Sequence, residues 1–582
     1  MSFLSRMMLL KSKAHFSADV RRGAVSRGKS RAFDGAAKRK ADMARRRVGL
    51  LMLGFAAVYA IIGARLVQYG YAHPESTSSI MPPDRLMAAR PDILDRNGQV
   101  LATDIRTVSL FAEPHKIVDA DEAVEKLATV LPDVDAKDMY RKLSSKSHFQ
   151  WLRRQLTPKQ QSQILALGIP GIGFRPEIRR FYPGGSTASH IVGFVNIDNR
   201  GMAGMEKYID NQGLAELAEL GMTSNARLEP VKLSIDLRVQ NIVHDVVANA
   251  QINFKGKSAG AVVLDVETGE VLGMASYPDF DPNKPEEGAK EGWLNRMSNG
   301  TFEMGSTFKS FTLAMGLDSG RIKLSDTFDA RYPIKIGGFT IKDFHGQGTF
   351  LSVSDIFKYS SNIGTAKIID VVGIPEQKEY LNRLGLLTKM KTELPEVKMP
   401  SQPREWKKIN SITISFGHGV ATTPLQTAVA GAALVNGGRL IEPTFLPRTI
   451  EQADEVAEAV LKPSTSADMR YLFDYNGKYG SGRGARIPGF DVGGKTGTAD
   501  KVVNGRYDSK LNFNAFLGAF PMKKPRYVVL SFIDEPLTGE KGGTISAYTA
   551  LPIVRDIIRR TAPILGVEPD FSDLGNDMLV SY

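Results

Sequence analysis

An α+β fold is predicted for the larger part of this chain, an antiparallel sheet covered by helices. Strand-like runs lie towards both ends of residues 231–566, with helix-periodic stretches between them. The first two runs, 259–266 and 271–276, flank Glu267-Thr268-Gly269-Glu270, a hairpin signal from which an antiparallel sheet can start. Ahead of this region lie a basic tail, a short apolar stretch, a polar linker and a module without evident chemistry. The expected order is tail 1–47, transmembrane helix 48–67, linker 68–83, a non-catalytic domain over 84–230, a catalytic domain over 231–566 and a short tail 567–582.

The 582 residues include no cysteine, which excludes a thiol nucleophile and zinc–thiolate sites. Residues 1–47 hold 14 Lys/Arg against three Asp, so they carry +11 of the net +12 and leave the rest near neutral. The basicity is a solvated tail, not a basic face, and nucleic acid is not an expected partner. The tail ends in Arg45-Arg46-Arg47, and residues 48–64 then run without charge. With Arg65 snorkelling, Leu66 and Val67 extend the stretch to about 20 residues, ~30 Å of helix, enough for one span. The positive flank belongs on the cytoplasmic side, so everything beyond about Gln68 is expected outside the cytoplasm.

Residues 71–83 read as a linker, being polar and containing proline. In 84–230, Asn97-Gly98 signals a hairpin between apolar runs, and 120–165 reads as helical, with Val124, Leu127 and Leu131 at helix spacing and Pro132, Asp133 and Asp135 breaking the pattern. No nucleophile–base pair occurs there. In 231–566, Val239, Ile242, Val243, Val246 and Val247 mark one face of a helix. Further strands are expected at 490–498, 515–520 and 526–533, and helices at 306–317, 363–372 and 421–434.

Three strings carry chemistry: Ser306-Thr307-Phe308-Lys309, Ser360-Ser361-Asn362 and Lys495-Thr496-Gly497. Singly they are weak, and Ser-x-x-Lys recurs by accident at Ser26–Lys29. Their ordered grouping describes serine acyl transfer without a catalytic histidine. Ser306 would be the nucleophile, at a helix start whose free N–H groups favour a negative carbonyl oxygen. Lys309, three residues on among Phe308, Phe311 and Leu313, would lose hydration and act as a neutral base. Ser360 could pass a proton, and Asn362 could meet a substrate amide, although Ser and Asn at such a break also suit a helix cap. Gly497 would let a substrate backbone approach an edge strand, while Lys495, Thr496 and Thr498 would hold a carboxylate. A phosphate-binding loop around Lys495 is set aside because Gly489 to Thr496 reads as missing Gly-x-x-x-x-Gly-Lys-Thr by one residue, in a strand-like run outside the cell. No metal or cofactor is expected.

With all three strings, the chain resembles the class B penicillin-binding proteins over roughly residues 48–565. Further matching strings are 90–102, 179–183 and 204–206 in the first module. In the second they are 268–272, 295–296, 302–303, 417–419, 423–426 and 436–438. Pro91 and Met304 depart from the usual glycine and proline, away from the reacting groups. The resemblance implies an elongated pedestal followed by a penicillin-binding transpeptidase domain, anchored in the bacterial inner membrane with its catalytic part periplasmic. It implies a D,D-transpeptidase that cross-links peptidoglycan stem peptides and is acylated by β-lactams. Ser306 would attack the penultimate D-Ala carbonyl, Lys309 would take its proton, and Ser360 with Lys495 would deliver one to the departing D-Ala. The N–H groups of Ser306 and Thr498 would form the oxyanion hole; Thr496 and Thr498 would bind the terminal carboxylate and Asn362 the peptide amide.

Asn362 and the run Lys495–Lys501 resemble the division-type branch, the family of penicillin-binding protein 3, more than the elongation type. That branch implies a lipid-linked-precursor glycosyltransferase and other divisome membrane proteins as partners. A class A β-lactamase is disfavoured because its Glu-x-x-Leu-Asn pattern would need glutamate where Lys378 stands. A β-lactam sensor or a divisome scaffold are the remaining alternatives.

Overall fold

The computed structural model describes residues 52–64, 90–213, 228–284, 286, 294–503 and 505–572. Residues 52–64 are helical, and no helix among the described residues is long and apolar enough to cross a membrane. The expected span 48–67 extends past that helix at both ends into residues outside the described ones, as do tail 1–47 and linker 68–83.

In the compact unit beginning at Arg85, the first layer is built on one long strand, Val100–Ala112. It pairs antiparallel with Ile93–Leu94, Gln150–Leu156 and Ile172–Phe181, while Ile93–Leu94 pairs in parallel with Val231–Lys232. The expected Asn97-Gly98 turn is present: Asp95 N–H donates to Gln99 O at 2.8 Å, and Gly98 sits at φ +84°. The helical reading of 120–165 holds for Ala120–Val130, Ala136–Leu143 and Pro158–Ala166, with the break at Pro132–Asp135 between the first two, and fails at strand Gln150–Leu156. Gln150–Leu156 is a strand because Trp151 lies opposite Phe111, with Phe149 stacked 5.1 Å from Phe111. That cross-strand aromatic contact is long-range and leaves no local period to read.

The strings 90–102, 179–183 and 204–206 meet in one buried ion network. Arg90 Nε and Arg180 Nε donate to the two oxygens of Glu206 at 2.8 and 2.6 Å, and Arg180 Nη1 donates to Asp104 at 3.0 Å. Further guanidinium N–H groups donate to backbone carbonyls of Asn199, Glu206 and Pro91, and Arg90 also pairs with Asp210. A buried carboxylate shared by two guanidinium groups ties three distant segments together.

The second layer system is a five-stranded antiparallel sheet. Its order is Gly493–Val503, Arg506–Phe520, Tyr527–Asp534, Ser258–Asp265, Val271–Tyr277. These strands include the sequence-predicted ones, and both faces are covered. Along Tyr527–Asp534, Val528, Leu530 and Phe532 join a core with helices Lys309–Asp318, Pro424–Val435 and Pro463–Tyr479. The alternate residues Val529 and Ile533 join a second core with helices Leu237–Asn253 and Ala550–Thr561. Ser531, buried among them, donates to Ala550 O at 2.7 Å, so its hydroxyl costs the core little.

Candidate active site

The helix expected to open at Ser306 begins later. Gly305–Phe308 is a 3-10 turn, and the α-helix runs Lys309–Asp318. Residues i and i+3 eclipse in a 3-10 turn, so Lys309 still stands directly along from Ser306. The turn is fixed by close backbone approaches that only glycine permits. A Cβ on Gly305, at φ +52°, would lie 2.5 Å from Thr498 O, and one on Gly417 would lie 1.9 Å from Gly305 O. A Cβ on Gly497 would lie 2.3 Å from Met304 O. Gly497 is therefore glycine because the nucleophile turn packs on it, a reason the sequence reading did not supply.

Lys309 is wholly buried at the start of its helix. Its Nζ donates to Ser360 O, to Ser360 Oγ at 3.0 Å and to Asn362 Oδ1 at 2.8 Å. It makes no ion pair among the described residues. Burial, reinforced by the charge of Lys495, holds its pKa well below the usual lysine value despite the opposing charge of Asp343.

Ser360 ends helix Val353–Tyr359 in the left-handed region at φ +57°. Ser361 caps the next helix, Asn362–Val372, accepting from Gly364 N–H at 2.9 Å. The capping and catalytic readings of this string thus apply to different residues. Ser361 takes the cap, and Ser360 and Asn362 on either side turn to Lys309.

Asp343, which sequence reasoning missed, fixes this arrangement. It accepts from Ser361 Oγ at 2.7 Å and Ile363 N–H at 2.9 Å, while Asn362 Nδ2 donates to the neighbouring Lys342 O at 3.0 Å. Asp343 lies in a loop between short strands and carries no motif spacing that could have singled it out.

Lys495, Thr496, Gly497 and Thr498 lie in edge strand Gly493–Val503, paired residue by residue with Arg506–Phe520. Lys495 is wholly buried, contacts the Phe357 ring face at 5.7 Å, and is lowered by burial to about 7. A carboxylate entering beside it would restore a counter-charge and draw its proton back. Thr496 Oγ1 bonds Ser481 Oγ at 2.9 Å, and Thr498 Oγ1 accepts from Ser546 N–H at 3.1 Å, leaving the Thr498 hydroxyl hydrogen free to point elsewhere.

Read letter by letter, Gly489 to Thr496 does fit Gly-x-x-x-x-Gly-Lys-Thr. The spacing is a coincidence. Lys495 and Thr496 sit within a continuous strand, whereas a phosphate cradle needs a loop that opens a helix. Glu303, also missed, lies beside the nucleophile turn. Its Oε1 accepts from Gly419 N–H at 2.7 Å and from Tyr507 Oη at 3.3 Å, and burial raises its pKa.

Residues 259–559 match the penicillin binding protein transpeptidase domain, and residues 85–215 match the penicillin-binding protein dimerisation domain. Curated relatives include a probable peptidoglycan D,D-transpeptidase FtsI of Caulobacter vibrioides, 38% identical over 491 residues and covering 82% of each chain. A probable peptidoglycan D,D-transpeptidase PenA of Neisseria gonorrhoeae is 32% identical over 90% of this chain and 93% of its own. The apo transpeptidase domain of Burkholderia pseudomallei penicillin-binding protein 3 is a structural neighbour, with TM-score 0.52 and 30% identity. It aligns over 58% of this chain and 97% of its own.

The chain belongs to the penicillin-binding protein transpeptidase family. Its dimerisation domain followed by a transpeptidase domain, together with its FtsI and PenA relatives, makes it a class B member of the division type.

Proposed function

We propose that this protein is the peptidoglycan D,D-transpeptidase of its division-type family, a serine acyltransferase inhibited by β-lactams, working through Ser306. The observation that carries the residue roles is Lys309: wholly buried, without a carboxylate partner, one 3-10 turn from Ser306 and bonded to Ser360 and Asn362. A lysine so placed sheds its proton readily and can take one from a serine hydroxyl.

In the first half-reaction, Ser306 Oγ bonds the penultimate D-Ala carbonyl carbon as its proton passes to Lys309 Nζ. The N–H groups of Ser306 and Thr498 receive the developing oxyanion. The C–N bond then breaks, and the departing D-Ala amine takes a proton relayed through Ser360, with Lys495 supplying positive charge. In the second, an amine of a neighbouring stem peptide attacks the acyl-enzyme, the new amide forms, and Ser306 Oγ leaves with its proton restored. Thr496 and Thr498 hold the terminal carboxylate, Asn362 the peptide amide, and Gly497 keeps the strand against the nucleophile turn. Residues 84–230 act as an elongated pedestal and 231–566 as the catalytic domain. Helix 48–67 anchors the chain in the inner membrane, tail 1–47 lies in the cytoplasm, and the reaction runs in the periplasm during septal synthesis. Its membrane partners are a lipid-linked-precursor glycosyltransferase and other divisome proteins.

Intact-mass measurement of the full chain with a penicillin tests this. One stable adduct is expected on Ser306, and none on Ser306→Ala with its fold retained by circular dichroism. Retained labelling of Ser306→Ala would remove the nucleophile, and rapid loss of the wild-type adduct with drug hydrolysis would indicate a β-lactamase instead.

A further inference from the structure

Helix Pro463–Tyr479 buries Met469, Leu472, Phe473 and Asn476, and Phe473 stacks 5.8 Å from Phe357. Its other face carries Tyr471, Tyr475 and Tyr479 at i, i+4 and i+8, a spacing that aligns side chains along a helix. Successive ring centroids are 5.8 and 5.2 Å apart, and Tyr471 and Tyr479 are 48% and 62% exposed. Lys358 adds a cation to the row, 4.5 Å from the Tyr359 ring and 5.8 Å from that of Tyr475. An exposed, contiguous aromatic row of this kind marks a binding surface.

The row adjoins residues of the candidate site along the chain. Tyr359 directly precedes Ser360. Past Tyr479 the chain turns through Gly480, which packs against Lys358 O, to Ser481, whose hydroxyl bonds Thr496. Asn476, on the buried face of the same helix, donates to Gly494 O at 2.6 Å, in the strand that carries Lys495.

We propose that this tyrosine row binds the carbohydrate backbone of the peptidoglycan strand that carries the donor peptide. The proposal rests on the transpeptidase reading above. Sugar rings present apolar C–H faces that stack on aromatic rings, and hydroxyl and acetamido groups that meet the tyrosine hydroxyls and Lys358. The dimensions agree. About four extended residues separate the glycan from the scissile bond, ~14 Å of chain. The eight residues from Tyr479 back to Tyr471 rise ~12 Å along the helix. The reach of the peptide and the length of the row are thus of the same order.

The test compares two donors with the full-length enzyme: un-cross-linked glycan chains bearing pentapeptides, and the free pentapeptide. Donor turnover is measured for wild type, Tyr471→Ala/Tyr475→Ala and Tyr471→Phe/Tyr475→Phe. The alanine pair is expected to lower the ratio of glycan-linked to free-peptide kcat/KM roughly tenfold, through KM, as the loss of two aromatic contacts predicts. The phenylalanine pair, which keeps the rings, should restore most of it. Binding of peptide-free glycan to the alanine pair should weaken in parallel. An unchanged ratio with unchanged glycan binding would overturn the proposal and leave the row to a protein partner. Failure of the wild type to turn over either donor would instead strike at the transpeptidase reading itself.

Discussion

Two buried sets of cations divide this molecule by role. In the dimerisation domain, Arg90 and Arg180 are enclosed with Glu206 and Asp104, every guanidinium meeting a carboxylate or a carbonyl. Burial works to lower the pKa of Arg180, but the facing Glu206 and Asp104 carry it above the usual value. In the catalytic domain, Lys309 and Lys495 are equally buried, and neither makes an ion pair among the described residues. There burial prevails: Lys495 falls to about 7, and Lys309, pushed the same way by Lys495 against the charge of Asp343, moves well below its ordinary range. Burial with a counter-ion makes a fixed structural tie, whereas burial without one makes a group that sheds its proton more readily.

Restoring a permanent charge at the site should break the contrast most severely. Lys309→Arg places a guanidinium that cannot deprotonate where a base is needed. Penicillin acylation of Ser306, followed by mass spectrometry, is expected to slow about 10²- to 10⁴-fold. Removing the counter-ion from the dimerisation domain should have the complementary outcome. Glu206→Gln takes the shared carboxylate from two buried arginines, leaving Arg180 only Asp104 and Arg90 only Asp210, and should cost about 3–5 kcal/mol of stability in denaturant titrations. The surviving folded molecules should still acylate at the wild-type rate, because the network does not touch Ser306. A smaller effect is expected at the loop that braces the catalytic groups. Asp343→Ala frees Ser361 Oγ and Ile363 N–H, loosening Ser360 and Asn362 around Lys309, and should slow acylation about tenfold to a hundredfold. Asp343→Asn, which keeps an acceptor, should recover part of that loss.

The sequence revealed most where chemistry is carried by short strings. Ser306 and Lys309 sit three apart, and the structure keeps them along one turn even though the helix starts at Lys309. The sheet was legible because its strands are apolar runs bounded by turn residues. What escaped notice depends on distance. The strand Gln150–Leu156 exists through its pairing with Val108–Ala112, and Asp343 reaches Ser361 across 18 residues of chain. The glycines at 305, 417 and 497 were visible as letters, but their reason, a three-way backbone contact around the nucleophile turn, belongs to the folded state. Gly489–Thr496 teaches the converse, since it spells a phosphate loop but its second half, from Gly493, folds into an edge strand.

The central claim is that Lys309 is uncharged when it meets Ser306, and the pH dependence of Ser306 acylation tests it most directly. The rate constant at saturating penicillin should be read across the range in which the enzyme stays folded. A lysine whose pKa is depressed in the folded protein becomes a base as pH rises through that lowered value. The rate should therefore climb and level off well below 10.5, lysine's ordinary value. A rate that kept climbing until pH 10.5 would mean that Lys309 stays charged in its buried site, and the account of the base would fail.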